Sequence, residues 1–317
     1  MKSPLRSLEP SPEKNTATPD HILLRVVRQL VEALLFEGLI PYQFVDGVFN
    51  FRIGSNHYRA CGRIAGFGRV RLDATTLIRI KNDVETPLKL SEIVNALPGS
   101  SQAKATLLQE LEQTLRLCHW NEEQLQPIDS RHHLSCGALE SALFEGHPYH
   151  PCFKARTGFS LNDHQRYGPE AGHSFQLQWL AIERRYLQQT WPQDNDANFW
   201  QQELGLATWI QLQHGIAEFG ADWSQYSLMP IHPWQWMQLK NTLLVDPIQQ
   251  RHILPLGAVG DRYQATQSVR TLINRDHPER AQIKVPLNMV NTSSLRTLEP
   301  HGIISAPHLS TWLQRII

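Results

Sequence analysis

Apolar residues recur along this chain in two rhythms, and the change from one to the other divides it. Leu23, Val27, Leu30, Val31, Leu34 and Leu35 return at close to 3.6-residue spacing, so the pattern predicts a helix over 21–37. Asp20 stands at the N-cap position and Gly38 at the end. The rhythm then shortens. Runs at 42–45, 48–53, 57–64 and 68–72 read as strands, with Asp46-Gly47 and Gly54-Ser55-Asn56 as turns between them, and predict an antiparallel meander. Ser91 with Ile93, Val94 and Leu97 predicts a short capped helix that stops at Pro98-Gly99. Leu107, Leu108, Leu111 and Leu115 form one stripe of a helix over 101–117, read as core. A shorter helix is predicted at about 136–144.

The second half begins with a loop, E-G-H-P-Y-H-P-C-F-K-A-R-T-G-F, over 145–159. Each proline pushes the histidine before it into an extended conformation, so this stretch is a stiff loop presenting His147 and His150. Phe175, Leu177, Trp179 and Ala181 alternate with polar residues, which favours a strand over 174–181; a helix extended by the following I-E-R-R-Y-L-Q-Q is the alternative. A helix follows over 196–218. In M-P-I-H-P-W-Q-W, His232 sits at a strand-to-helix junction with Pro233 opening the helix. Residues 266–272 and 283–297 read as strands. Their alternation puts Ser268 and Arg270 on one face, and Lys284 opposite Val285. Asn291-Thr292-Ser293-Ser294 is a hydroxyl-rich turn, and Arg296 follows it. The fold class is α+β: a helical N-terminal region with a small antiparallel meander, then a strand-rich region. The expected divisions are a disordered leader over 1–19, a helix/meander/helix region over 20–135, and the strand-rich region over 136–317.

Charge narrows the function classes. Lys+Arg and Asp+Glu are both 30, so there is no basic excess for a general nucleic-acid or membrane-surface binder. No apolar run is long enough for a membrane span, and the polar, Pro-rich start has no secretory h-region. Four scattered cysteines without a CxxC then point to reduced thiols in the cytoplasm. The local picture is different. Arg270, Lys284 and Arg296 flank the hydroxyl-rich turn, a set that can hold a triphosphate through charge-assisted bonds. The same residues also read as a solvated sheet face, and the His-Pro loop as a kinked surface loop. GxxxxGK[ST], GxGxxG and HExxH are all lacking, so a P-loop, a Rossmann site and a zincin helix are unsupported.

Four motifs come in one order: G-H-P-Y-H-P-C-F-K-A-R-T-G-F, M-P-I-H-P-W-Q, S-V-R-T, and K-V-P-L-N-M-V-N-T-S-S-L-R-T. From residue 101 onward they resemble the IucA/IucC family, the siderophore synthetases that work independently of non-ribosomal peptide synthetases. The resemblance implies a cupped-hand fold in which 20–135 is thumb-like and 136–317 is the ATP-binding palm, incomplete here. It implies ATP and Mg²⁺ as cofactors, and adenylation of a citrate-like carboxylate. An amine or amino-alcohol substrate then attacks to give an amide or ester. It implies a homodimer for the full-length form. It also implies that Ser268, Arg270 and Thr271 contact ATP, that Lys284 binds phosphate, and that Thr292, Ser293 and Arg296 form the nucleotide-binding turn. His150, with His147, stands at the phosphates, and Lys154 meets substrate carboxylates. No protein metal ligand is expected. Family members are longer by a second half that supplies further palm residues, and this chain closes on the apolar T-W-L-Q-R-I-I, so it is expected to be a fragment. Two other readings stand beside this one. One is a non-catalytic nucleotide- or anion-binding remnant; the other is a metal-dependent hydrolase using His147, His150 and His232.

Overall fold

Asp20 caps α1 (His21–Phe36) by accepting hydrogen bonds from the Ile22 and Leu23 N–H groups at 3.0 and 3.2 Å. The helix buries Ile22, Val26, Val27, Leu30 and Val31, a full apolar face. The structure, a computed structural model, describes residues 20–123, 132–143, 146–147, 149–190, 196–292 and 294–316. The expected leader, 1–19, lies outside the described residues. The chain forms two compact units.

The first unit runs to Leu115 and includes Tyr149–Pro151. Its sheet holds β1 (Tyr42–Val45), β2 (Val48–Ile53), β3 (Asn56–Ile64), β4 (Val70–Leu72), β5 (Ile78–Lys81) and β6 (Val84–Thr86). The order is β1-β2-β3-β5-β6, all antiparallel, with β4 also on β3. Asp46 and Gly47 both take positive φ, 50° and 80°, as a two-residue turn matched to strand twist requires. Phe49, Phe51, Tyr58 and Ala60 are buried from this sheet. The buried Glu32 of α1 accepts a 2.7 Å bond from the Leu72 N–H and so fastens the helix to β4. Tyr149 lies beneath two guanidinium groups, with Arg69 and Arg71 at 4.1 and 4.5 Å from its ring centre. Then come α2 (Leu90–Ala96) and α3 (Ser101–Glu122), which carries the chain into the second unit.

The second unit is built on the sheet β11-β10-β9-β7-β8. Its strands are β7 (Phe175–Glu183), β8 (Tyr226–Ile231), β9 (Ile253–Ala265), β10 (Thr271–Asn274) and β11 (Ile283–Lys284). All pairs are antiparallel. A separate hairpin joins β12 (Leu287–Asn291) to β13 (Ser294–Arg296). The helices are α4 (Cys136–Ala142), α5 (Leu161–Tyr167), α6 (Asp196–Leu204), α7 (Leu206–Glu218), α8 (Pro233–Leu239), α9 (Val245–Gln249) and α10 (Pro300–Gln314). Trp179 of β7 packs with Trp200, Leu204, Trp209 and Leu212. A second cluster joins Phe159, Tyr167, Trp234, Val269, Leu287 and Met289. Burying each such side chain is worth about 1.5–3 kcal/mol. None of α10 is buried. No described helix is long and apolar enough to cross a membrane.

Several local expectations need correction. Residues 266–270 form a turn, not a strand, and β10 starts only at Thr271. Ahead of the expected turn at 291–294, the strand from 283 is split at Pro286, which has no N–H for a ladder, into β11 and β12. The helix over 196–218 breaks at Gly205, which takes φ +76°. Lys89, not Ser91, is the N-cap of α2. α3 continues to Glu122 and buries Leu111, Thr114, Leu117, Cys118 and Asn121, a face turned from the predicted stripe.

Candidate functional site: a cationic cavity in the second unit

Val269 is the pivot of the site. Its φ is +65°, rare for a β-branched residue, and the Arg270 N–H donates to the Ser268 carbonyl at 2.8 Å across it. This closes a three-residue γ-turn of the strained, positive-φ kind. The Val269 side chain is fully buried in the aromatic cluster beside Leu287 and Met289. With Val269 turned inward, Ser268 and Arg270 face a cavity of about 370 Å³. The Ser268 and Thr271 hydroxyls lie 2.9 Å apart, and α4 fastens the turn: the Gln267 N–H donates to a Glu140 carboxylate oxygen at 2.8 Å. Lys284 enters the same cavity because β11 pairs with β10 in the register Thr271 opposite Lys284.

The third cation comes from the separate hairpin. Thr292 turns it with φ +47°, and Arg296 folds back to donate to Asn291 Oδ1 at 3.0 Å and to the Thr292 hydroxyl. Arg270 in turn donates to the Thr297 carbonyl. Burial, and then the charge of Arg270, push the Arg296 guanidinium below its ordinary value. Two guanidinium groups this close repel each other unless an anion lies between them. His147, Ser268, Arg270, Thr271, Lys284, Thr292 and Arg296 thus line one cavity, and among the described residues no acidic side chain lines it. Two other cavities, of about 280 and 510 Å³, each contain a single arginine and no such convergence of cations.

The same unit holds a buried ionic cluster. Arg156 holds Glu170 with two bonds of 2.8 Å, and Lys154 donates to the same carboxylate at 2.8 Å and to the Leu143 carbonyl at 3.0 Å. Burial opposes ionisation of Glu170. The two cations outweigh that and hold its carboxyl well below the usual carboxylate range. Burial, then the neighbouring Arg156, lowers His164 to about 3. The cluster is fixed by charge-assisted bonds inside the protein.

The remaining expected site residues are Lys154, His150 and Ser293, with His232 from the hydrolase reading. Lys154 is wholly buried, and its ammonium donates to the Glu170 carboxylate and the Leu143 carbonyl. His150 groups with the first unit and is not among the residues lining the cavity. Ser293 lies outside the described residues. His232 is fully buried as the cap of α8: its Nδ1 accepts from the Trp234 N–H at 3.1 Å. Burial alone pushes it down to about 3. No three His, Cys, Asp or Glu side chains come together among the described residues, and the hydrolase reading has no metal site there. Gln267 and Glu170 escape a reading of the sequence, and Asn291 is read there only as part of a turn. Only their long-range partners reveal them, and no local spacing announces those partners.

Fold and cavity define an antiparallel α+β protein with a cationic site suited to an anion. The chain belongs to the IucA / IucC family, whose profile matches residues 135–317. It is 33% identical over 313 residues to a citryl-spermidine/3,4-dihydroxybenzoyl-citryl-spermidine:spermidine ligase from Bacillus anthracis, covering 92% of this chain and 50% of that protein. It is 30% identical over 311 residues to aerobactin synthase from Escherichia coli, covering 94% and 52%. Among solved structures it resembles the petrobactin biosynthesis protein AsbB from Bacillus anthracis str. Sterne, with a TM-score of 0.81 and 30% identity over 95% of this chain and 52% of that one. ATP-bound aerobactin synthetase IucA from Klebsiella pneumoniae shares the fold at a TM-score of 0.64, with 20% identity over 94% of this chain and 54% of that one. The chain spans about half the length of the curated relatives it matches.

Proposed function

We propose that the second unit is the triphosphate-holding part of an ATP-dependent siderophore synthetase, which joins a citrate-like carboxylate to an amine or hydroxyl. The observation that carries this reading is the meeting of Arg270, Lys284 and Arg296 in one cavity. ATP supplies the leaving pyrophosphate that makes the carboxylate reactive. The residues fit that role: three cations and the Ser268 and Thr271 hydroxyls offer donors to phosphate oxygens, fixed before the ligand arrives. Mg²⁺ fits less well. It takes oxygen ligands, commonly carboxylates, and the described residues of the cavity lining include none. In this reading residues 1–317 bind a triphosphate without turning over. A cytoplasmic setting belongs to this reading, supported by four cysteines that carry no disulfide. A homodimer is part of the same reading, and light scattering checks it.

Calorimetric titration of the 317-residue chain with ATP tests the proposal. Lys284→Ala and Arg270→Ala should each weaken binding at least about tenfold, since each removes a charge-assisted bond worth about 1.5–3 kcal/mol. Binding unaffected by both substitutions refutes the cavity reading. Label exchange from pyrophosphate into ATP with citrate present should be absent. Multiple turnovers abolished by Lys284→Ala would show that the chain suffices by itself.

A further inference from the structure

We infer that Asn291 is a positioning residue for the cationic cavity, acting through Arg296 and anchored to the buried Glu170 cluster; this rests on the nucleotide reading above. Asn291 is nearly buried, and both ends of its amide are committed. Its Nδ2 donates to the Ala155 carbonyl at 2.8 Å, and its Oδ1 accepts from Arg296 at 3.0 Å. A carbonyl can only accept and a guanidinium can only donate, so the two partners fix which way the amide points. The Ala155 carbonyl is itself held firmly. The residues on either side of it, Lys154 and Arg156, both bind Glu170, and the next residue, Thr157, bridges to Val290 with bonds of 2.9 and 3.0 Å.

The contacts therefore run from a buried carboxylate, through one peptide group, to one amide, to the guanidinium in the cavity. Arg296 has a long, flexible side chain and lies beside a second arginine that repels it. Left alone, it would swing away from Arg270. Asn291 and the Thr292 hydroxyl hold it in place while the anion is absent, so the ligand meets two guanidinium groups already set together. A neutral amide suits this task. It orients the charge without cancelling it, whereas an aspartate here would accept from Arg296 as an ion pair and face the Ala155 carbonyl with no proton to give.

A double-mutant cycle separates positioning from mere support of the fold. ATP affinity is measured by calorimetry on the 317-residue chain for wild type, Asn291→Ala, Asn291→Asp, Arg296→Met and the double variants, with thermal unfolding followed for each. Asn291→Ala and Asn291→Asp are expected to weaken ATP binding about tenfold, or about 1.4 kcal/mol, the aspartate more than the alanine. In the Arg296→Met background the same changes should alter affinity by less than about threefold, because the residue they position is gone. Asn291→Asp preserves the side chain's size and completes the cycle if Asn291→Ala does not fold. Equal losses in both backgrounds, or no loss in either, overturn the inference while leaving the cavity reading intact. A wild-type chain that does not bind ATP overturns both.

Discussion

Replacing Glu170 by Gln removes the one anion from a buried site that holds two cations. Side-chain exposure is 2% for Glu170, 0% for Lys154 and 1% for Arg156, so water does not compensate. With His164 neutral, the cluster carries one net positive charge, and Glu170→Gln leaves two. Breaking a buried pair in this way costs about 3–5 kcal/mol, and the second stranded cation puts this case at the upper end. Lys154→Met acts in the opposite sense. It leaves the doubly bonded Arg156–Glu170 pair, which is charge-balanced, and loses a charged hydrogen bond worth about 1.5–3 kcal/mol. The expected order is therefore Glu170→Gln well beyond Lys154→Met. Urea unfolding followed by tryptophan fluorescence reads this directly, because every tryptophan lies at or beyond Trp120, in the second unit. At about 2–4 °C per kcal/mol, Glu170→Gln lowers the thermal midpoint by about 10–20 °C. A Lys154→Met protein as unstable as Glu170→Gln refutes the charge argument. A Lys154→Met protein of wild-type stability with weakened citrate binding would support Lys154 as a substrate contact.

Acid should destabilise the protein well above the carboxylate range. His164 and His232 are held neutral down to about 3, while the unfolded chain takes up protons below about 6.5. Their contribution is full above the unfolded value and is lost as pH falls toward 3, at up to about 1.4 kcal/mol per pH unit each. His232→Asn keeps an acceptor for the Trp234 N–H and removes one titrating group, so urea midpoints between pH 4 and 7 should slope less. Ser160→Ala, which breaks the capping box with Asp163, should cost about 1 kcal/mol by urea unfolding and leave ATP binding unchanged. Asp20→Ala should cost a similar amount in the first unit, read by far-ultraviolet circular dichroism.

Elements set by local chemistry are legible in the sequence itself. α1 lies within a residue of its prediction because Asp20, the apolar period and Gly38 agree. The meander follows from its turns, and Pro233 opens α8 as its position implies. β5 and β6 are not legible, because Asn82-Asp83, both at positive φ, form a turn without the glycine that usually signals one. The S-V-R-T segment misleads for a deeper reason. An inward valine between two outward polar residues looks the same in a strand and in this γ-turn. Only the burial of Val269 among residues far away in sequence decides between them. The ion pair of Lys154 is not legible either, because its partner, Glu170, is sixteen residues away in sequence.

That γ-turn limits what can be moved. A transplanted S-V-R-T tetrapeptide brings the charge and the hydroxyls but not the force that bends them. The turn's strain is of order 1–3 kcal/mol, and here it is offset by a valine locked among Phe159, Tyr167, Trp234, Leu287 and Met289. On another scaffold the segment would relax into the strand its alternation suggests, with Ser268 and Arg270 still side by side but no longer aimed at Lys284. The smallest portable unit of this site is therefore the tetrapeptide together with the aromatic cluster beneath it.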